Sequence, residues 1–300
     1  MRQLRYLRSL LPFAIPLACS VPVGQLLEID AGTGLGGNTS LGGASGTGMG
    51  GTSATDSGEA NGCSGSYETI QLSTGLCVAN MASVNGPNVS EDYGIDVTEV
   101  TKGQYDSWLS TKPALPTDPN CSYVVSYAEQ GTSSAYTGTD AVHHPVVGVD
   151  WCDAYAYCNA VGKRLCGAIG GGSNAPTSYA DVTSSQWFRA CSSGNDNEYP
   201  YGNTFQASYC NGNDNGKAQT VAVGSLTTCV TSAPGFAGVY DLSGNVWEWE
   251  DSCNGKGQSA ACHFRGGSFT GNISNLNCGY NVSGSRDYTN YGVGFRCCSA

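Results

Sequence analysis

Of the 15 cysteines in this 300-residue chain, all but Cys19 lie between Cys63 and Cys298. Subtracting Cys19 leaves 14, an even number, and no close CxxC pairing suggests a zinc or redox motif. In an exported protein such a set reads as up to seven disulfides rather than metal thiolates or catalytic thiols. The adjacent pair Cys297-Cys298 sharpens this. In a strand, neighbouring side chains point to opposite faces, so the two sulfurs should join different partners. A chain tied together in this way needs little regular secondary structure. Its composition agrees, with 43 glycines and only 12% charged residues.

The amino terminus supplies the export signal that a disulfide reading requires. Arg2, Arg5 and Arg8 precede the apolar stretch 10–18, which is too short to span a bilayer as a helix. Residues 1–18 therefore read as a signal peptide. The run Pro16-Leu17-Ala18-Cys19 looks like a bacterial lipoprotein processing box, which makes Cys19 the expected lipid attachment site. The alternative is plain secretion with cleavage nearby. Residues 19–62 form a tether. From 31 onward they are almost wholly Gly, Ser, Thr, Ala and Asn, and such a stretch buries too little apolar surface to fold. The folded domain is expected over 63–300. The formal charge of −11 disfavours nucleic acid and anionic membrane surfaces as partners, leaving a lipid anchor as the one expected membrane contact. It suits divalent cations or basic ligands.

Within the domain, residues 95–100 alternate as a strand, and 101–109 predict a short helix with Tyr105, Trp108 and Leu109 on one face. Residues 113–140 read as loop. Asp150 caps a second helix, with Asp153 at its third position and Ala154, Tyr157, Cys158 and Val161 as its apolar stripe. Gly162 ends it. A third helix is expected around 184–190, and short strands among Asn/Gly-rich loops follow. There is no internal repeat, Walker sequence, dinucleotide glycine signature or serine nucleophile elbow.

Several segments in order resemble the sulfatase-modifying factor family, whose founding enzyme converts a sulfatase cysteine to formylglycine. They are Asp96-Val-Thr-Glu-Val-Thr101, His144-Pro-Val-Val-Gly-Val-Asp-Trp151, Gly162-Lys-Arg-Leu165, Tyr199-Pro-Tyr-Gly202, Gly238-Val-Tyr-Asp-Leu-Ser-Gly-Asn-Val-Trp-Glu-Trp249, Arg265-Gly-Gly-Ser268 and Gly294-Phe-Arg-Cys297. The resemblance covers roughly residues 90–300. It implies an α+β fold, the formylglycine-generating-enzyme-like variant of the C-type lectin-like architecture, coil-rich and cross-linked by disulfides. It also implies two structural disulfides, Cys158–Cys297 and Cys191–Cys278. Cys253 and Cys262 bracket a glycine-rich loop and are expected to pair, and Cys210 is matched with Cys229. The pairing of Cys63, Cys77, Cys121, Cys152, Cys166 and Cys298 stays open.

The active enzyme of the family uses two cysteines that bind copper(I). Here their positions fall on Gly271 and near Leu276. A soft, low-coordinate copper site needs thiolates, so no copper and no formylglycine-generating oxidase activity is expected. The cofactor implied is calcium. Asp241, the carbonyls of Gly244 and Val246, and the Glu248 carboxylate would surround one ion, since oxygen ligands suit this cation. The alternative is carboxylates that cap turns or face solvent. A second candidate lies at Asn211 and Asp214, or a polar loop pinned by Cys210. His143, His144 and His263 lack the spacing of a metal site. Arg265, Arg286 and Arg296 are expected to pair with buried acids.

The expectation from sequence is an exported, lipid-anchored, calcium-stabilised binding or structural protein of the bacterial outer membrane or cell surface, or a secreted one. Its ligand would be a protein, peptide or glycan in a groove formed by 271–279 and 284–292, with Asn272, Asn275, Tyr280, Arg286, Asp287 and Tyr291 as candidate contacts. Two alternatives remain. One is an enzyme with other chemistry in that groove, and the other is a non-catalytic accessory protein that binds sulfatases or peptides.

Overall fold

A computed structural model describes residues 63–299, apart from 72, 133, 134 and 137–139. The expected signal peptide, the expected tether and the expected lipid attachment site Cys19 lie outside the described residues.

Among the described residues, three short α-helices form in the three stretches where helices are expected. Helix α1 (Lys102–Ser110) opens with a capping box between Thr101 and Gln104, and buries Tyr105 and Trp108. Helix α2 (Trp151–Ala160) opens with a second box in which Asp150 and Asp153 satisfy each other's backbone N–H. It buries Ala154, Tyr157 and Cys158. Helix α3 (Gln186–Cys191) starts at Ser185, whose hydroxyl accepts from the Phe188 N–H.

Around them lie β1 (Glu68–Ile70), β2 (Cys77–Ala79), β3 (Met81–Val84), β4 (Tyr93–Asp96), β5 (Arg164–Leu165), β6 (Trp247–Cys253), β7 (Ala261–Arg265), β8 (Asn281–Ser285), β9 (Val293–Phe295) and β10 (Cys297–Cys298). They make a β1-β2 pair and two four-stranded sheets, ordered β3-β4-β10-β5 and β8-β7-β6-β9. The second sheet is antiparallel except where β9 runs parallel to β6. Its β6 alternates as a strand with two buried faces must. Trp249 joins the aromatic core of Tyr105, Trp108, Tyr157 and Phe295, while Glu248 and Glu250 project to the other side.

The expected strand 95–100 stops at Asp96. There the carboxylate turns inward to take the Cys297 N–H and the Lys163 ammonium. The chain then leaves the first sheet. Val97 N–H bonds to Asn80, and Val100 N–H reaches Phe295 in β9 of the second sheet. Residues 97–100 thus cross between the two sheets, and Glu99 sits on that crossing.

Seven disulfides cross-link the domain. Cys158–Cys297 and Cys166–Cys298 tie α2 and the end of β5 to β10, with the two adjacent sulfurs joined to different partners. Cys191–Cys278 ties α3 to the loop before β8. Cys253–Cys262 bridges β6 and β7, and Cys210–Cys229 closes a loop. Cys63–Cys77 and Cys121–Cys152 complete the set.

Candidate functional site

The tight turns before β6 collect polar groups in the interior between the two sheets. Gly244 has φ +79°, and a Cβ there would lie 2.5 Å from the Asn211 carbonyl oxygen, so only glycine fits. Asp241 and Asn245 also adopt left-handed backbone, at φ +57° and +59°, a conformation Asn and Asp tolerate better than most residues.

Asn245 organises its surroundings. Its Oδ1 accepts from Asn211 Nδ2 and the Val221 N–H, and its Nδ2 donates to Glu99 Oε1 at 3.0 Å. Glu99 is fully buried, and its Oε2 has no hydrogen-bond partner. Asp241 has the same arrangement. Its Oδ2 accepts from the Gly224 N–H at 2.6 Å, while its Oδ1 has none. Burial pushes the Asp241 carboxyl up to about 7. Burial first, and then the neighbouring Asp241 charge, raise Glu99 well above the usual carboxylate range.

Glu248 differs. Arg296 grips both of its oxygens at 2.7 Å, and Trp187 Nε1 donates to one of them at 2.7 Å. The same guanidinium also donates to the carbonyls of Asp96 and Tyr240. The site therefore holds three buried carboxylates and one guanidinium, and that guanidinium is engaged by Glu248. Two orphaned carboxylate oxygens and an all-oxygen donor set fit a hard divalent cation such as calcium. Asp241 would hold it with the carbonyls of Gly244 and Val246. The carboxylate of Glu248, expected from sequence as a ligand, already serves as the counter-ion of Arg296.

The second candidate site is not assembled. Asn211 is fully buried with its Oδ1 unpartnered, whereas Asp214 is exposed on a 3₁₀ turn (Asn213–Asn215). Elsewhere, Cys63, Glu68 and Cys77 bring three potential ligand atoms within 4.8 Å of one another. Their two sulfurs are joined in a disulfide, and the Glu68 carboxylate accepts from the Gly65 N–H and Gln104, so the group offers no thiolate.

The positions matched to the catalytic cysteines do come together. A Cβ on Gly271 would sit 3.3 Å from Leu276 Cδ2. Leu276 is 3% exposed, and its isobutyl group packs against Gly212, Gly267 and Gly271. An apolar plug fills the place where two thiols would meet. Beside it opens a cleft of about 550 Å³, lined by Tyr199, Ile273, Ser274, Asn277, Gly279 and Tyr280.

The expected groove residues divide. Tyr280 lines the cleft and packs on Trp247, and Tyr291 is partly exposed against Phe269. Asn272 and Asn275 bond to each other's loop backbone. Arg286 does not face the groove. It is buried over Trp151, with its guanidinium donating to the carbonyls of Gly255 and Gly257 rather than to an acid. Asp287 is held by Ser285 and Gln258. Arg265 and Arg296, in contrast, pair with the buried Glu250 and Glu248. His144 bonds to Thr220.

These features define a disulfide-braced α+β domain with an oxygen-rich buried site and an apolar plug in place of groove thiols. A sulfatase-modifying factor enzyme 1-like domain matches residues 62–300, and the chain belongs to that family. It is 32% identical to the formylglycine-generating enzyme of Thermomonospora curvata over 136 residues, 41% of this chain and 37% of that protein. The Mus musculus enzyme is 27% identical over 185 residues, 52% of this chain and 44% of that protein. The inactive Cα-formylglycine-generating enzyme 2 of Bos taurus is 34% identical over 119 residues, 38% of this chain and 34% of that protein. The chain thus spans less than half the length of these relatives. Among solved structures, Treponema denticola variable protein 1 superposes with a TM-score of 0.46 at 21% identity, covering 69% of this chain and 84% of that one. All cysteines from Cys63 to Cys298 are held in disulfides, so copper–thiolate formylglycine generation has no chemical agent in this domain.

Proposed function

We propose that this protein is an exported, lipid-anchored, calcium-stabilised binding protein, with its ligand taken in the cleft beside Leu276. The observation that carries the reading is the Gly271–Leu276 pair. Where the family resemblance would place two thiols, the chain carries an aliphatic plug closed to redox chemistry. The cleft offers neutral Asn, Ser and Tyr side chains and no charged group, which suits a glycan or an uncharged peptide segment. Seven disulfides suit an oxidising compartment, and the leader with Cys19 supplies the anchor. No described helix is long and apolar enough to cross a membrane.

The mature protein should be alkylated under denaturing, non-reducing conditions, weighed by intact mass and assayed for metals. It should then be incubated with copper and a cysteine-containing sulfatase peptide. The expected result is no alkylation of the domain, bound calcium, and an unchanged peptide. Free thiols with bound copper, or conversion of the peptide cysteine to an aldehyde, would overturn the reading.

A further inference from the structure

We infer that the ligand of the cleft beside Leu276 is a neutral glycan, lying along an aromatic strip that runs from the cleft across β6, β7 and β8. This rests on the cleft being a ligand site and names the class of its ligand. The strip begins at Tyr280, which lines the cleft and stands 6.1 Å from Trp247 between ring centroids, tilted by 39°. Trp247 in turn meets Phe264 edge-on at 5.6 Å, and Tyr288 stacks on Phe264 at 5.8 Å with 8° between the planes. Phe264 is buried in the core and fixes the outer rings, whereas Tyr280 and Tyr288 are each 38% exposed and Trp247 is partly so. The far end of the strip depends on Gly284 in β8. A Cβ there would lie 3.0 Å from Tyr288 Cγ, so the missing side chain lets that ring lie across the strand.

The chemistry around these rings is polar but uncharged. Ser274, Asn277 and the tyrosine hydroxyls offer neutral donors and acceptors, and no charged side chain lines the cleft. Arg286 and Asp287, beside Tyr288 in sequence, are engaged with the 255–258 loop instead. A sugar ring has the matching character, an apolar C–H face for aromatic rings and a rim of hydroxyls for amide and hydroxyl groups. A peptide added as a strand would take its affinity from main-chain hydrogen bonds, and the main chain at the cleft is largely spent. The N–H groups of Leu276, Cys278 and Tyr280 bond to the carbonyls of Asn272, Glu198 and Asn277, and that of Gly279 to Asn277 Oδ1. The carbonyl of Leu276 accepts from Ser243, and those of Cys278 and Tyr280 accept from Arg265. Recognition in the cleft therefore falls to rings and neutral side chains.

The test is affinity electrophoresis of the mature protein in gels holding one polysaccharide each: neutral β-glucan, mannan, xylan or galactan, and acidic polygalacturonate. Calorimetry with the matching oligosaccharide then measures affinity, and Tm confirms that each variant is folded. At least one neutral polysaccharide should retard the wild type, and polygalacturonate should not. Tyr280→Ala and Tyr288→Ala should each weaken binding about tenfold or more, as truncating an aromatic contact at the centre of a site does. Tyr280→Phe keeps the ring and should keep most of the affinity. Retardation by none of the neutral polysaccharides would overturn the inference, as would wild-type affinity in both alanine variants. Self-association that the alanine variants abolish would also overturn it, since the strip would then belong to a second copy. Capture of members of an uncharged peptide library, lost in Tyr280→Ala and without any bound glycan, would sink the glycan and leave the cleft as a ligand site. Absence of both kinds of ligand would remove the cleft reading as well.

Discussion

Arg296 is the residue on which the interior depends most. A fully buried guanidinium gives hydrogen bonds to Glu248 and to two carbonyls from different segments, so it joins β6, the end of β4 and the turn at Tyr240. Lysine could supply the charge but not the planar fork that meets these acceptors together. Truncating one partner of such a pair leaves an uncompensated charge and typically costs about 3–5 kcal/mol. Arg296→Met is therefore expected to lower unfolding stability by about that amount in urea titrations. The double variant Arg296→Met/Glu248→Met should recover a large part of the loss. If the two effects simply add, the pair is not the unit described here.

At the scale of elements, much was legible because the signals are local. The capping boxes of α1 and α2 join residues three apart, and the alternation of β6 is written in Trp247, Glu248, Trp249 and Glu250. The opposed directions of Cys297 and Cys298 follow from strand geometry alone. Glu99 was not legible as a site residue. Its partner Asn245 is 146 positions away, and in the sequence it looks like one member of an alternating strand. Only the crossing between sheets, forced after Asp96 is captured by β10 and Lys163, turns it inward. Arg286 misled for the opposite reason. A charged pair in a groove segment suggests a ligand contact, whereas stacking on Trp151 depends on how α2 packs.

Helix α2 also carries a testable charge effect. Its capping box uses aspartate at both ends. Burial first, and then the Asp150 charge, hold the Asp153 carboxyl well above its usual value of 3.8. Because that value is raised on folding, the native state binds this proton more tightly than the unfolded chain does. The group's contribution is complete below about pH 4 and is lost as pH rises through the folded value. Asp153→Asn keeps an oxygen to accept the Asp150 N–H but cannot ionise. The variant should show a flatter decline of Tm between acidic and neutral pH than wild type, and a higher Tm at pH 7. Each kcal/mol recovered corresponds to roughly 2–4 °C in a domain of this size. Parallel pH profiles would mean that the Asp153 carboxyl is not raised on folding.

For the whole molecule, the disulfides take over work that long helices and wide sheets do elsewhere. The carboxyl-terminal strand β10 has two residues, too few to hold itself between β4 and β5 by hydrogen bonds. Cys158–Cys297 and Cys166–Cys298 clamp it from both faces, with sequence separations of 139 and 132. These closures are nearly redundant. With one intact, the other closes only the short path 158–166 plus one step along β10. In the chain-entropy account, opening either alone costs about 2–3 kcal/mol, while opening both also releases a closure worth about 5 kcal/mol. Replacing Cys158 and Cys297 by alanine, replacing Cys166 and Cys298 by alanine, and combining the two should therefore give two moderate losses and a combined loss larger than their sum. Urea unfolding followed by tryptophan fluorescence reads this directly. Strict additivity would show that the clamps act through local packing, and the account of β10 as a strand held by paired covalent closures would fail.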